Sequence, residues 1–270
     1  MTAQIEQVGN SFAARLTGLN LKPPFDPTQI ATIISALDQY SVVVLPGQNM
    51  SPDEQIAFSE HLGPIENSDE GNPKYQKLRE ELKFADQRVS EISNLVDGEK
   101  LLEKNDLRRT FQYANQLWHT DSTFRPVRAR YTMLLAIKVP HSGGDTEFAD
   151  MAAAYDGLPQ DIREEVDPLV GIHSPWTVMD LLGATKANQG GFTSDLPDQP
   201  RPLVETHPGS GRKVLNIGSH CSHIEGMSLP EGRALLVALR EHATQAQYRY
   251  RHQWSPGELV IWDDRSTLHR

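Results

Sequence analysis

Between residues 128 and 139 apolar side chains take every second position: Tyr131, Met133, Leu135, Ile137 and Val139. Side chains of an extended chain alternate between two faces, so this run specifies a strand whose one face is covered. Such a strand needs partners, and the chain offers several. Residues 41–45 (Ser-Val-Val-Val-Leu) precede Pro46-Gly47 and suit a buried strand, as do 214–217, 248–254 and 258–262. A further strand or hairpin over 11–21 is closed by Pro23-Pro24. Helical spacing is concentrated early and late. Ile30, Ile33, Ile34 and Leu37 give 28–40 an apolar stripe, and Ser51-Pro52-Asp53-Glu54 starts a helix to about Leu62 through a capping box. Residues 150–158, 159–166 and 230–243 read as helices, 172–190 gives no clear assignment, and 191–202 reads as loop. Short strands with helical additions point to a mainly β (α+β) fold, a sandwich or jelly roll.

With 270 residues the chain suits one domain, 1–270. Lys and Arg number 26 against 36 Asp and Glu, a net charge of −10, which argues against nucleic-acid binding. No apolar run approaches the roughly 20 residues that cross a bilayer, so no membrane association is expected. One cysteine, Cys221, excludes an internal disulfide and fits a reducing, cytoplasmic setting. From 66 to 110 the chain is polar and charged. A loop this long is either a mobile surface excursion or a lid over a site.

Chemistry concentrates at Trp118-His119-Thr120-Asp121. In extended chain His119 and Asp121 share a face, and His269 lies behind the apolar segment 258–262. Two imidazoles and a carboxylate on one face of a metal leave three positions open, which suits non-haem Fe(II) binding a chelating cosubstrate and O2. Zinc accepts the same set and would make a hydrolase instead. An isolated His-x-Asp pair is more often a hydrogen-bonded pair than a ligand set, so context carries the reading.

Four segments supply that context: Gln116-Leu-Trp-His-Thr-Asp-Ser-Thr-Phe124, Ser142-Gly-Gly-Asp-Thr-Glu-Phe148, Thr206-His-Pro-Gly-Ser-Gly-Arg-Lys213 and Ile261-Trp-Asp-Asp-Arg-Ser-Thr-Leu-His269. Together they resemble the taurine dioxygenase family of Fe(II)/2-oxoglutarate-dependent dioxygenases across nearly the whole chain. Phe111-Gln-Tyr-Ala-Asn-Gln-Leu-Trp-His119 and Phe148-Ala-Asp-Met-Ala-Ala-Ala-Tyr-Asp156 are most similar to members that cleave aryloxyalkanoates. The resemblance implies a distorted double-stranded β-helix, cupin-like, with His119, Asp121 and His269 as iron ligands. It implies that Thr146 hydrogen-bonds 2-oxoglutarate, although Gly143-Gly144 demands a turn there in any case. The implied reaction consumes 2-oxoglutarate and O2, gives succinate and CO2, and hydroxylates a small organic acid. An aryloxyalkanoate would yield a phenol and an oxo acid; a taurine-like sulfonate would yield an aldehyde and sulfite. Asp121 leaves no ligand position for chloride, so a halogenase is not implied. Homo-oligomers are common in the family.

Family members carry, past the distal histidine, an arginine that pairs with the far carboxylate of 2-oxoglutarate. Losing such a pair costs about 2–5 kcal/mol in binding. The sequence stops at Arg270, and neither Arg270 nor Arg265 takes that position, so the expectation is a truncated enzyme or a protein that only binds ligand. Asn94 and Lys100 are candidate substrate contacts, although an exposed lysine is usually just solvated. His220-Cys221-Ser222-His223 lacks the second motif a zinc site needs. His207 reads as a turn residue, and Trp118 and Trp262 as packing groups.

Overall fold

The computed structural model describes residues 3–66, 88–96, 100–104, 106–183 and 196–270. Its first strands are β1 (Gln4–Gln7), β2 (Ala14–Thr17), β3 (Val42–Leu45), β4 (Leu95–Val96), β5 (Lys100–Leu101), β6 (Tyr131–Leu135) and β7 (Thr146–Asp150). There follow β8 (Val170–His173), β9 (Gln199–Pro202), β10 (Val204–Thr206), β11 (Lys213–Leu215), β12 (Cys221–Ile224), β13 (Arg249–His252), β14 (Leu259–Asp263) and β15 (Thr267–His269). The helices are α1 (Pro27–Tyr40), α2 (Pro52–Glu60), α3 (Leu107–Ala114), α4 (Met151–Asp156), α5 (Gln160–Val166), α6 (Trp176–Leu181) and α7 (Leu229–Ala243).

A five-stranded sheet runs β1-β2-β3-β14-β6, and three-stranded sheets run β13-β7-β15 and β12-β8-β9. In the five-stranded sheet the interior strand β14 is buried along its whole length, as a strand covered on both faces should be. Leu259 and Ile261 join Val43, Leu45 and the Tyr131, Met133, Leu135 face under Ile30, Ile33 and Leu37 of α1. Val260 and Trp262 point the other way, beside Val42 and Val44 of the same sheet and onto Phe148 of the facing one. Behind that sheet, Ala149 and Leu268 pack with Leu236 and Leu239 of α7. Helix, sheet, sheet and helix therefore stack in layers. The sequence explains the helix starts: Asp26 accepts from the Thr28 N–H at 2.8 Å, and Ser51 and Glu54 form the predicted capping box.

Three expectations change. The alternation predicts a strand to Val139, but β6 stops at Leu135 and Ile137 is 74% exposed. Ala136 exchanges hydrogen bonds with Glu258 and Gly257, so its partner strand turns away there and nothing remains to pair. The hairpin near 11–21 begins earlier, pairing Gln4–Gln7 with Ala14–Thr17; all of β1 is exposed, so it shows no apolar signature. Finally, β9 is a strand inside the predicted 191–202 loop, despite Pro200 and Pro202. It is an edge strand, where a missing N–H leaves no ladder bond unmade. The preceding 172–190 stretch holds the end of β8 and α6. Residues 67–87, 97–99, 105 and 184–195 lie outside the described residues, and with them most of the 66–110 segment read as excursion or lid.

Candidate metal centre

His119 and His269 are joined backbone to backbone: the His119 N–H donates to His269 O at 3.0 Å, and the His269 N–H to His119 O at 2.8 Å. Thr120 Oγ1 adds a buried hydrogen bond to Thr267 O at 3.0 Å. Because β15 is itself paired with β7, His119 inherits a rigid position from the sheet. Asp121 does not. The sequence reading put His119 and Asp121 on one extended strand; the structure has a single bridge at His119 followed by a turn. Ser122 lies in the left-handed region at φ +56°, and the Asp121 N–H is taken by the side chain of Asp264 at 3.3 Å rather than by a neighbouring strand. A hydrogen bond from Ser122 Oγ to Glu66 anchors the same turn.

The three side chains converge. His119 Nε2 lies 3.7 Å from Asp121 Oδ1, His269 Nε2 lies 3.6 Å from Asp121 Oδ2, and the donor atoms all fall within 4.8 Å of one another. These separations are too long for hydrogen bonds. His119 Nδ1 sits 2.7 Å from Leu117 O, which can only accept, so Nδ1 carries a proton and Nε2 is the ring nitrogen turned toward Asp121. Burial pushes the His269 pKa down to about 3, so this ring is neutral near physiological pH. Burial opposes ionisation of Asp121. The facing His269 and His119 and the Thr132 hydroxyl outweigh it and hold the carboxyl below its usual range. Two imidazole Nε2 atoms and a carboxylate thus aim at one point, at separations too long for hydrogen bonds. That donor set fits a divalent transition metal with open positions.

Sequence reasoning missed the groups around Asp121. Thr132 Oγ1 lies 3.0 Å from Asp121 Oδ2 and 2.6 Å from Asp264 Oδ2. Trp262 Nε1 donates to Asp264 Oδ1 at 3.2 Å, while its ring packs 4.9 Å from that of His269, so it does more than fill space. The available signal was Thr132 itself, a hydroxyl on the opposite face of the alternating strand. His220 also went unassigned. Its ring centre is 6.5 Å from His119 and 4.6 Å from Phe124, and burial pushes its pKa down to about 4.

The other expected residues separate clearly. Thr146 opens β7 after the Gly143-Gly144 turn, both glycines at φ +74°, and shares the inward face with Phe148. Its Oγ1 accepts from Trp254 Nε1 at 3.0 Å, so its own proton stays available for another acceptor. Asn94 and Lys100 are exposed beside and on the β4–β5 hairpin, and the structure joins neither to the three converging groups. His207 is structural, bonded to Asp263 at 3.0 Å and to Ser210. It forms with Asp38 and Asp263 another group of metal-ligand type, but Arg265 Nε already holds Asp263 at 2.9 Å and supplies the positive charge there. Arg270 is bound to Glu147 at 2.7 Å and lies over the Trp118 ring. Cys221 is buried in β12.

The sequence matches the family described as taurine catabolism dioxygenase TauD, TfdA family, over residues 4–270. The chain belongs to this family. It is 43% identical over 259 residues to the alpha-ketoglutarate-dependent 2,4-dichlorophenoxyacetate dioxygenase of Cupriavidus pinatubonensis, covering 96% of this chain and 88% of that protein. It is 36% identical to the (S)-phenoxypropionate/alpha-ketoglutarate-dioxygenase of Sphingobium herbicidovorans, covering 96% and 86%. Among solved structures it is similar to AAD-2 in complex with Mn(II) and N-oxalylglycine, with TM-score 0.89 and 37% identity over 100% of this chain and 92% of that one. The protein is an Fe(II)- and 2-oxoglutarate-dependent dioxygenase of mixed helix and sheet. That settles iron over the hydrolytic zinc alternative.

Proposed function

We propose that this dioxygenase cleaves an aryloxyalkanoate by hydroxylating the carbon next to its ether oxygen. One observation carries the reading of the site: Nε2 of His119 and of His269 and the carboxylate of Asp121 face one another at 3.6–3.7 Å without hydrogen-bonding. In this reading they are the iron ligands, held at the mouth of a distorted double-stranded β-helix within a single domain, 1–270. When bound, iron supplies a chelation site for 2-oxoglutarate and the redox chemistry that inserts one oxygen atom of O2 into a C–H bond. Thr146 offers its free hydroxyl proton to a carboxylate oxygen of 2-oxoglutarate. His220, its ring centre 6.5 Å from His119 and 4.6 Å from Phe124, is kept neutral by burial, and in this reading the two rings help receive the aryl group. Asn94 and Lys100 reach a substrate carboxylate only if segment 66–110 folds over the site as a lid.

The products follow from the chemistry. Substrate, 2-oxoglutarate and O2 give a hemiacetal, succinate and CO2, and the hemiacetal collapses to a phenol and an oxo acid. Support for this substrate class comes from relatives at 43% and 36% identity whose names carry phenoxy acids. The test is an anaerobic titration of Fe(II)-loaded protein with 2-oxoglutarate, watched for the visible metal-to-ligand charge-transfer band, followed by O2 and 2,4-dichlorophenoxyacetate. The expected result is the band, then phenol and succinate in equal amounts. Sulfite from taurine with no phenol from the aryloxy acid would reverse the substrate assignment.

A further inference from the structure

Asp264 is buried, contacts no solvent of consequence, and spends both carboxyl oxygens on groups around the candidate centre. Its Oδ1 accepts from the Asp121 N–H at 3.3 Å and from Trp262 Nε1 at 3.2 Å. Its Oδ2 lies 2.6 Å from Thr132 Oγ1, and that oxygen in turn lies 3.0 Å from Asp121 Oδ2. The Asp264 N–H is itself held by Arg130 O at 3.0 Å. One side chain therefore grips the backbone of Asp121, its carboxylate through Thr132, and the indole packed on His269.

The need for such a grip follows from local structure. His119 and His269 are fixed by paired backbone, whereas Asp121 stands on a turn beside a left-handed Ser122. A carboxylate on a turn can swing about its χ angles and offer a metal one oxygen or two. A hydrogen bond to Oδ2 limits that swing.

We infer that Asp264 and Thr132 form a positioning clamp that fixes the Asp121 carboxylate, on its turn, toward His119 and His269. The inference rests on the reading of His119, Asp121 and His269 as the metal ligands. Thr132 and Asp264 touch neither substrate nor cosubstrate in this scheme; they act through Asp121. By limiting the swing of Asp121 they would keep its carboxylate where a metal held by His119 and His269 could meet it.

The test uses Mn(II) binding, read from the electron paramagnetic resonance of the free ion, and the visible absorption of bound Co(II). Thr132→Val keeps the shape and removes the hydroxyl; it is expected to weaken Mn(II) binding about 10- to 100-fold and alter the Co(II) band. Thr132→Ser restores the hydroxyl and should bind within about threefold of the parent, since only loss of an outer-shell hydrogen bond carries that penalty. Asp264→Ala should resemble Thr132→Val. Asp264→Asn keeps an acceptor for both N–H donors, and its amide donates to Thr132 Oγ1 and leaves the Thr132 proton for Asp121, so it should bind at least as tightly as the parent. Asp121→Ala is the control and should abolish binding. If it does so while Thr132→Val binds like the parent, the clamp is overturned and the ligand reading stands. Binding that survives Asp121→Ala overturns the ligand reading and the clamp with it. Equal losses in Thr132→Ser and Thr132→Val would also overturn the clamp, since volume rather than the hydroxyl would then matter. Should Thr132→Val fail to fold, the Asp264→Asn and Asp264→Ala pair decides: equal losses in both reject the clamp.

Discussion

His269 keeps its ring neutral because burial makes the charged form costly, and that neutrality is what a metal ligand requires. Removing any of the three converging groups should therefore act on binding first. His269→Ala is expected to lower Fe(II) affinity by more than about 100-fold, beyond the range for losing an outer-shell partner, with the far-ultraviolet circular dichroism unchanged. Equilibrium dialysis of Fe(II) under argon checks this, and retained affinity would remove His269 from the ligand set. His173 tells a different story. It is fully buried, both ring nitrogens lack partners among the described residues, and burial, with Arg201 next in effect, pushes its pKa down to about 3. The unfolded chain titrates this group near 6.5, so between about pH 6.5 and pH 3 the unfolded state binds more protons than the folded one. Stability must fall as pH drops through that window and be indifferent to this residue above it. The loss from His173 approaches about 1.4 kcal/mol per pH unit. Urea unfolding of the parent and His173→Phe at pH 7.5, 5.5 and 4.5 should give a shallower pH dependence in the variant. Equal slopes would mean that His173 finds a proton acceptor in the folded state.

At the scale of elements, β14 and β6 show how far periodicity reaches. Ile261 lies on a strand paired on both sides and has no exposed surface, so Ile261→Ala should cost about 2–5 kcal/mol. Ile137 belongs to the same sequence alternation as Met133 but lies past the end of β6. Ile137→Ser should change stability by no more than about 0.5 kcal/mol. Denaturant unfolding of the two variants distinguishes pattern from pairing; a large loss at Ile137 would mean that something covers it. The comparison explains what was legible. Helix α1 could be read because its apolar stripe is local, and β14 because its apolar run is continuous. The hairpin strand β1 could not, since none of its residues is buried, nor could β9, since its prolines signal a turn unless an edge position is known. His119, Asp121 and His269 were legible as residue types in a motif. The turn that delivers Asp121, and Asp264 which holds it, depend on partners from the far end of the chain that no local window contains.

Those distant partners set the behaviour of the whole molecule. The strand at 259–263 inserts between strands at 42–45 and 131–135, so the central sheet closes only when late sequence reaches early sequence. The same closure brings His269 onto His119 and Asp264 onto Asp121. Loop-closure entropy makes such contacts costly to form, and an unfolded chain holds His269 far from His119 and Asp121. A metal that needs all three must then bind the folded state almost exclusively, and its binding energy becomes folding energy. At a free concentration one hundred times the dissociation constant, the gain is about 2.7 kcal/mol. For a chain of this size that corresponds to a rise in melting temperature of roughly 5–10 °C. Thermal unfolding with and without Mn(II), followed by tryptophan fluorescence, should show the shift in the parent and none in Asp121→Ala. A shift confined to near-ultraviolet signals, with the global transition unmoved, would mean that the region around His269 opens separately from the central sheet. The shared strand β14, which runs directly into the turn carrying Asp264, argues that they open together.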